Sequence, residues 1–250
     1  MRVDLNADLG ETVDGRPTAD DPAMFALVSS ANIACGGHAG DAASLRLSVA
    51  RALADGVAVG AHPSYEDRAN FGRVRRDPPP AELRASVAAQ LDALVAAGGD
   101  VRYVKAHGAL YHAVIDDAAQ AVAVTGAVAD LSARLGRPLP LLGLPGRISD
   151  AARAAGLPFV HEAFLDRGYR PDGSLVPRGE PDALVHDPAV VAARAVRLVA
   201  HGEVEAVDGT IVDVDAASLC LHGDTPAAVE MARAVRRALD IAGIEVRAPW

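Results

Sequence analysis

Seven short apolar runs, all but one ending in a polar tip and most followed by a helix-forming stretch, restrict what this 250-residue chain can become more than any other feature. They cover residues 3–5, 24–33, 57–60, 101–106, 140–144, 159–164 and 217–221. Helices are predicted at about 42–55, 81–97, 117–135, 149–155, 189–200 and 226–241. Asp41 is placed to cap the first of these, and Pro226 suits the opening turn of the last. Leu83, Val87, Leu91, Leu94 and Val95 recur near helical spacing in the second. A small hairpin is expected around Asp208 and Gly209, and residues 166–187 read as a long Gly/Pro/Arg-rich loop. Strands alternating with helices imply βα units and a parallel sheet. The polar tips fall at Asn6/Asp8, Asn32/His38, His62, Lys105/His107, Glu162/Asp166 and His222/Asp224. An open doubly wound sheet concentrates such groups at one crevice, whereas a closed barrel gathers them from many strand ends. The pattern therefore predicts a distorted or incomplete β/α barrel, formed as a single domain over residues 1–250.

The formal charge of −9 argues against general nucleic-acid binding, which needs basic surface to neutralise phosphates. No apolar run approaches the ~20 residues that span a bilayer, and the opening DLNADLGE alternation does not read as a signal peptide. Two cysteines, Cys35 and Cys220, are too few for a disulfide framework, so a reducing cytoplasm is expected.

Lys105 is the single lysine in a chain with 23 arginines, and it closes the apolar run VRYV. Lysine is a compact ammonium with chemistry that the bulkier, planar arginine does not reproduce. Four histidines, His38, His62, His107 and His222, follow apolar runs and sit beside Gly, Ala or Pro, which leaves room for a ligand. Imidazole there can serve as base, acid or metal ligand. Singly, each is as well explained as a hydrogen-bonded loop anchor; together they favour a shared site. Asp8 is a candidate base or metal ligand, with Asn6 and Glu11 beside it. Gly36 and Gly37 form either an anion-binding turn or a tight bend. Glu162, Asp166, Arg167 and Arg178 either fix the long loop as an ion-pair network or bind an acidic substrate.

No GxxxxGK[ST] loop, GxSxG elbow, HExxH or paired CxxC is present. Read together, the blocks DLNADLGE (4–11), NIACGGHAGD (32–41), GAHPSYEDR (60–68), VKAHGALYH (104–112), EAFLDRGY (162–169), GSLVPRGE (173–180) and CLHGD (220–224) resemble the LamB/YcsF family, in colinear order over almost the whole chain. Ala7, Gly37, Ala106 and His112 depart from the residues usual there. The resemblance implies a distorted seven-stranded barrel like those of the glycoside hydrolase/deacetylase superfamily. It also implies cleavage of the lactam 5-oxoproline to L-glutamate with ATP as co-substrate, in complex with B and C subunits. The chemistry assigns Lys105, or an arginine, to the substrate carboxylate or the phosphorylated oxygen. Asp8, His62 or His107 would activate water, and His222 and Asp224 would orient the pocket. Asn6, Asn32, His38, Glu162 and Arg167 are the further candidates for binding substrate.

Two alternatives stay open. Asp8, with His62 and His107, resembles in outline the Asp/His/His set of metal-dependent deacetylase barrels, which implies a divalent metal on those three residues. The other is a non-catalytic, substrate-binding subunit whose chemistry resides in its partners.

Overall fold

A computed structural model describes residues 1–225 and 227–250. Eight strands form one sheet: β1 (Arg2–Leu9), β2 (Ser30–Ala34), β3 (Ala58–His62), β4 (Val101–Val104), β5 (Leu141–Gly143), β6 (Phe159–Phe164), β7 (Ser218–Cys220) and β8 (Glu245–Val246). The hydrogen-bonded order is β7-β6-β5-β4-β3-β2-β1-β8, and β7 pairs with β1 as well, which closes a seven-stranded barrel. The β1/β7, β6/β7, β3/β4 and β4/β5 pairs are parallel. β8 is an addition that pairs with Arg2 and Val3, ahead of the Asp4–Asn6 stretch that takes β7.

Most expected elements form near their expected bounds. The helices Ala42–Asp55, Pro80–Ala96, Ala118–Leu135, Arg147–Ala154 and Pro188–His201 are present. So is the hairpin, as strands Glu203–Glu205 and Ile211–Asp213. Asp41 caps its helix, accepting from the backbone N–H groups of Ala43 and Ser44, while the Ser44 hydroxyl accepts from the Asp41 N–H. The last helix is Ala228–Ile241, and Pro226 lies outside the described residues.

Three differences have physical causes. β1 runs to Leu9 because Asp4, Asn6 and Asp8 are buried along with the apolar residues between them, so its polar side chains belong to the strand and not to a following loop. Residues 24–33 divide into the short helix Asp21–Phe25 and β2. The expected tip after His107 is a helix, Gly108–Asp116, that buries Leu110, Tyr111, Ala113 and Val114.

Contacts divide the chain into two compact units. One comprises Met1–Ala7, Asp20–Ser30 and His161–Pro249; the other comprises Asp8–Ala19, Ala31–Val160 and Trp250. In the first, the helices Pro188–His201 and Ala228–Ile241 pack on each other. In the second, Pro80–Ala96 packs on Ala118–Leu135, and Tyr103 of β4 lies across Gly60 of β3. A Cβ at position 60 would clash with that ring, 2.2 Å from its nearest atom. Gly60→Ala should therefore cost about 1–3 kcal/mol through overpacking, read as a lower denaturant midpoint. An unchanged midpoint would show that the ring has room to move.

Candidate functional site

The second unit gathers Asp8, Glu11, Asn32, His38, His62, Lys105 and His107. β1 supplies Asp8, the turn after it supplies Glu11, β2 supplies Asn32, and β3 ends on His62. Lys105 and His107 follow β4, where the Lys105 N–H donates to Ala61 O and the His107 N–H to Pro63 O. All seven are buried; Lys105 is only 2% exposed and His62 1%.

Backbone carbonyls fix the two central imidazoles. His62 Nδ1 lies 2.8 Å from Lys105 O, and His107 Nε2 lies 3.0 Å from Phe71 O. A carbonyl oxygen only accepts, so both of these nitrogens carry their proton. The remaining nitrogens, His62 Nε2 and His107 Nδ1, face each other at 3.1 Å. Asp8 Oδ2 stands 3.3 Å from the first and Glu11 Oε1 3.6 Å from the second. Burial, followed by the charge of neighbouring imidazoles, holds His38 and His107 well below the usual histidine pKa, so both are neutral near pH 7. Asp8, Glu11, His62 and His107 each offer one potential ligand atom, and these atoms lie within 4.8 Å of one another.

The surroundings are built to hold this cluster. His38 stacks on His107 with centroids 3.6 Å apart, and its Nε2 donates to Glu11 Oε1 at 3.0 Å. The Phe71 backbone adopts φ +54°, a costly value for an aromatic residue, and its carbonyl is the acceptor for His107. Gly72 follows at φ +64°, where a Cβ would come within 2.9 Å of His38 Cβ. Arg68 donates to Gly36 O and Gly40 O and so ties down the loop that carries His38. The Gly36 N–H is engaged by Ala39 O, which fits the tight-bend reading of the Gly36-Gly37 pair. Gly37 has no room for a side chain, because Gln90 and Ser64 fill that space.

The donor set matches a divalent cation in chemistry, with its atoms within 4.8 Å of one another. A tetrahedral ion with bonds of about 2.0–2.1 Å needs donor atoms about 3.3 Å apart, and two carboxylates with two imidazoles form a ligand set of the zinc or manganese type. The backbone bonds on the outer ring nitrogens are the support that ligating histidines use. Lys105 Nζ, 3.5 Å from Asp8 Oδ1, already brings one positive charge. Glu11 is visible in the sequence as a tip carboxylate, but nothing in its spacing from His62 and His107 marks it as their partner.

The other unit holds the remaining candidates. Asn6 donates to Ser218 Oγ and to Glu162 Oε2, and Ser218, Ser29 and Ser30 all donate to the buried Asp4. Asn6 and Glu162 therefore belong to an interior polar network centred on Asp4, for which the sequence pattern carries no signal. Burial holds the Asp4 carboxyl above its usual range. The Arg167 guanidinium donates to Val176 O and Ala183 O, pinning the 166–187 loop to itself. His222 Nδ1 meets both oxygens of the fully buried Asp166, at 2.9 and 3.0 Å, while its ring stacks on Phe164. Asp224 is half-buried in the turn that follows. Asp166, which the sequence pattern offers to a loop-fixing network, is the partner that orients His222.

A profile of the LamB/YcsF family matches residues 3–249. The chain is 52% identical over 252 residues to the 5-oxoprolinase A subunit of Streptomyces griseus subsp. griseus, covering 98% of this chain and 99% of that one. The 5-oxoprolinase A subunit of Corynebacterium jeikeium is 48% identical over 251 residues, with 98% and 96% covered. Among solved structures, a lactam utilization protein from Thermus thermophilus superposes with a TM-score of 0.91 at 45% identity, covering 99% of this chain and 100% of that one.

The Asp166–His222 pair has a stability signature. Burial works to raise the Asp166 pKa, but the His222 charge and its hydrogen bonds outweigh burial and hold it below 3.8. A depressed carboxylate stabilises the fold above its unfolded pKa and loses that contribution as pH falls through the folded value. Between pH 5 and pH 2, roughly, wild type should lose more unfolding free energy than Asp166→Asn. Parallel acid-denaturation curves would contradict the pairing.

Proposed function

The chain belongs to the LamB/YcsF family, and from that premise we propose that it is the A subunit of an ATP-dependent 5-oxoprolinase, opening 5-oxoproline to L-glutamate together with B and C subunits in the cytoplasm. One observation carries the reading: the buried Asp8/Glu11/His62/His107 cluster with Lys105, in a chain about half identical, end to end, to proteins that carry the name of the 5-oxoprolinase A subunit.

A lactam is a resonance-stabilised amide with a poor leaving group. Phosphorylating its oxygen makes the carbon attackable, which accounts for ATP as co-substrate. The chain has no P-loop motif, so on this reading the nucleotide site is either unconventional or shared with the partner proteins. His107 Nδ1, neutral and unprotonated, takes the proton from the attacking water, and Glu11 stands close enough to stabilise the resulting imidazolium. Lys105 offsets negative charge gathering on the amide oxygen or its phosphoryl group, in a buried setting where a fixed charge acts strongly. Asp8 holds Lys105 and faces His62. A divalent ion held by Asp8, Glu11, His62 and His107 would occupy His107 Nδ1 and would then supply Lewis acidity and a more acidic water in place of that base.

The same donor set favours a second reading, a metal-dependent deacetylase-like hydrolase. Hydrolysis of an acetylated amine by the chain alone, without ATP, would select that reading.

A coupled glutamate assay tests the primary reading. Glutamate should form only when this chain, both partner proteins and ATP are all present. ATP-independent glutamate from the chain alone would contradict it. In the assembled complex, Lys105→Ala and His107→Ala should each lower kcat by about 10²–10⁴-fold. Unchanged turnover in both would remove these residues from the chemistry.

A further inference from the structure

Tyr103 is wholly buried, yet its hydroxyl is directed at the candidate site. The O–H donates to Asn32 Oδ1 at 2.6 Å, and Asn32 Nδ2 donates to Asp8 Oδ1 at 2.8 Å. The direction of this chain is forced. A carboxylate cannot donate, so Asn32 must turn its NH₂ toward Asp8 and its oxygen toward Tyr103. The two Asp8 oxygens consequently have different surroundings: Oδ1 takes Asn32 and has Lys105 Nζ at 3.5 Å, while Oδ2 faces His62 Nε2 at 3.3 Å. The tyrosine ring is itself fixed. It crosses Gly60, the only residue type that leaves room for it, and it stacks on the indole of Trp250 with centroids 4.2 Å apart. A buried tyrosine needs some acceptor for its hydroxyl, and any nearby carbonyl would satisfy that need. Here the acceptor passes the polarity on to the carboxylate of the site.

We propose that Tyr103 is a positioning residue: through Asn32 it fixes the orientation of the Asp8 carboxylate toward His62, and Trp250 clamps the ring that does so. The relay is a property of the chain, and its catalytic consequence rests on the 5-oxoprolinase reading. Two measurements keep these separable. In the isolated, isotope-labelled chain, the Asn32 carboxamide and Asp8 carboxylate NMR signals report the relay directly. Tyr103→Phe keeps the ring and removes the hydroxyl, so both signals should move while other amide signals stay in place. Trp250→Ala keeps the hydroxyl but removes the clamp, and the same two signals should move. If neither variant moves them, the relay is overturned. In the complex assembled with its partners, Tyr103→Phe should lower kcat by about tenfold, as supporting groups around such sites do, with KM changed by less than about twofold. A kcat within about twofold of wild type overturns the catalytic role, as does a loss confined to KM. Should the wild-type complex release no glutamate, the substrate reading fails, and the two NMR signals alone decide the relay.

Discussion

Four potential ligand atoms converge within 4.8 Å in a buried setting, one each from Asp8, Glu11, His62 and His107. Such a cluster is costly to bury unless positive charge meets it, because lone pairs and carboxylates at about 3–4 Å repel strongly in a low-dielectric interior. Lys105 Nζ, 3.5 Å from Asp8 Oδ1, supplies positive charge there. The arrangement cannot relax by turning the imidazoles, since Lys105 O and Phe71 O hold the opposite ring nitrogens. The backbone thus holds these side chains together in one fixed arrangement.

Much of the second unit serves this constraint. The left-handed backbone at Phe71 and Gly72 brings a carbonyl to His107 and lets His38 approach closely. Arg68 holds the His38 loop, and Asn32 and Tyr103 hold Asp8. In the first unit, polar burial is handled differently. Three serine hydroxyls satisfy Asp4, and Asp166 is paired with His222. The buried carboxylates of both units are thus each met by specific partners, as polar groups removed from water require.

The barrel is legible because apolar runs and helical periodicity are local signals, and β3, β4, β6 and β7 form close to where the runs lie. β1 is only partly legible: a fully buried strand that still carries Asp4, Asn6 and Asp8 looks, residue by residue, like a strand that ends early. The helix after His107 is hidden because HGALYH reads as a polar tip until Leu110 and Val114 are seen to be buried. Asp8, His62, Lys105 and His107 stand out as strand-end groups with useful chemistry. Glu11 as the partner of His107, and Tyr103 behind Asn32, depend on distances across strands far apart in the chain, and no one-dimensional spacing carries them. Arg167 shows the converse: it is a plausible anion ligand in sequence, but its guanidinium is occupied by the loop's own carbonyls.

Whether the four potential ligand atoms form a cation site is decided by calorimetric titration of Zn²⁺ or Mn²⁺ into the purified chain at neutral pH, beside a His62→Ala/His107→Ala variant. Wild type should take up one tightly bound ion per chain, and the variant none at that site. Absence of binding in wild type, or equal binding in both, would contradict the electrostatic reading of the cluster.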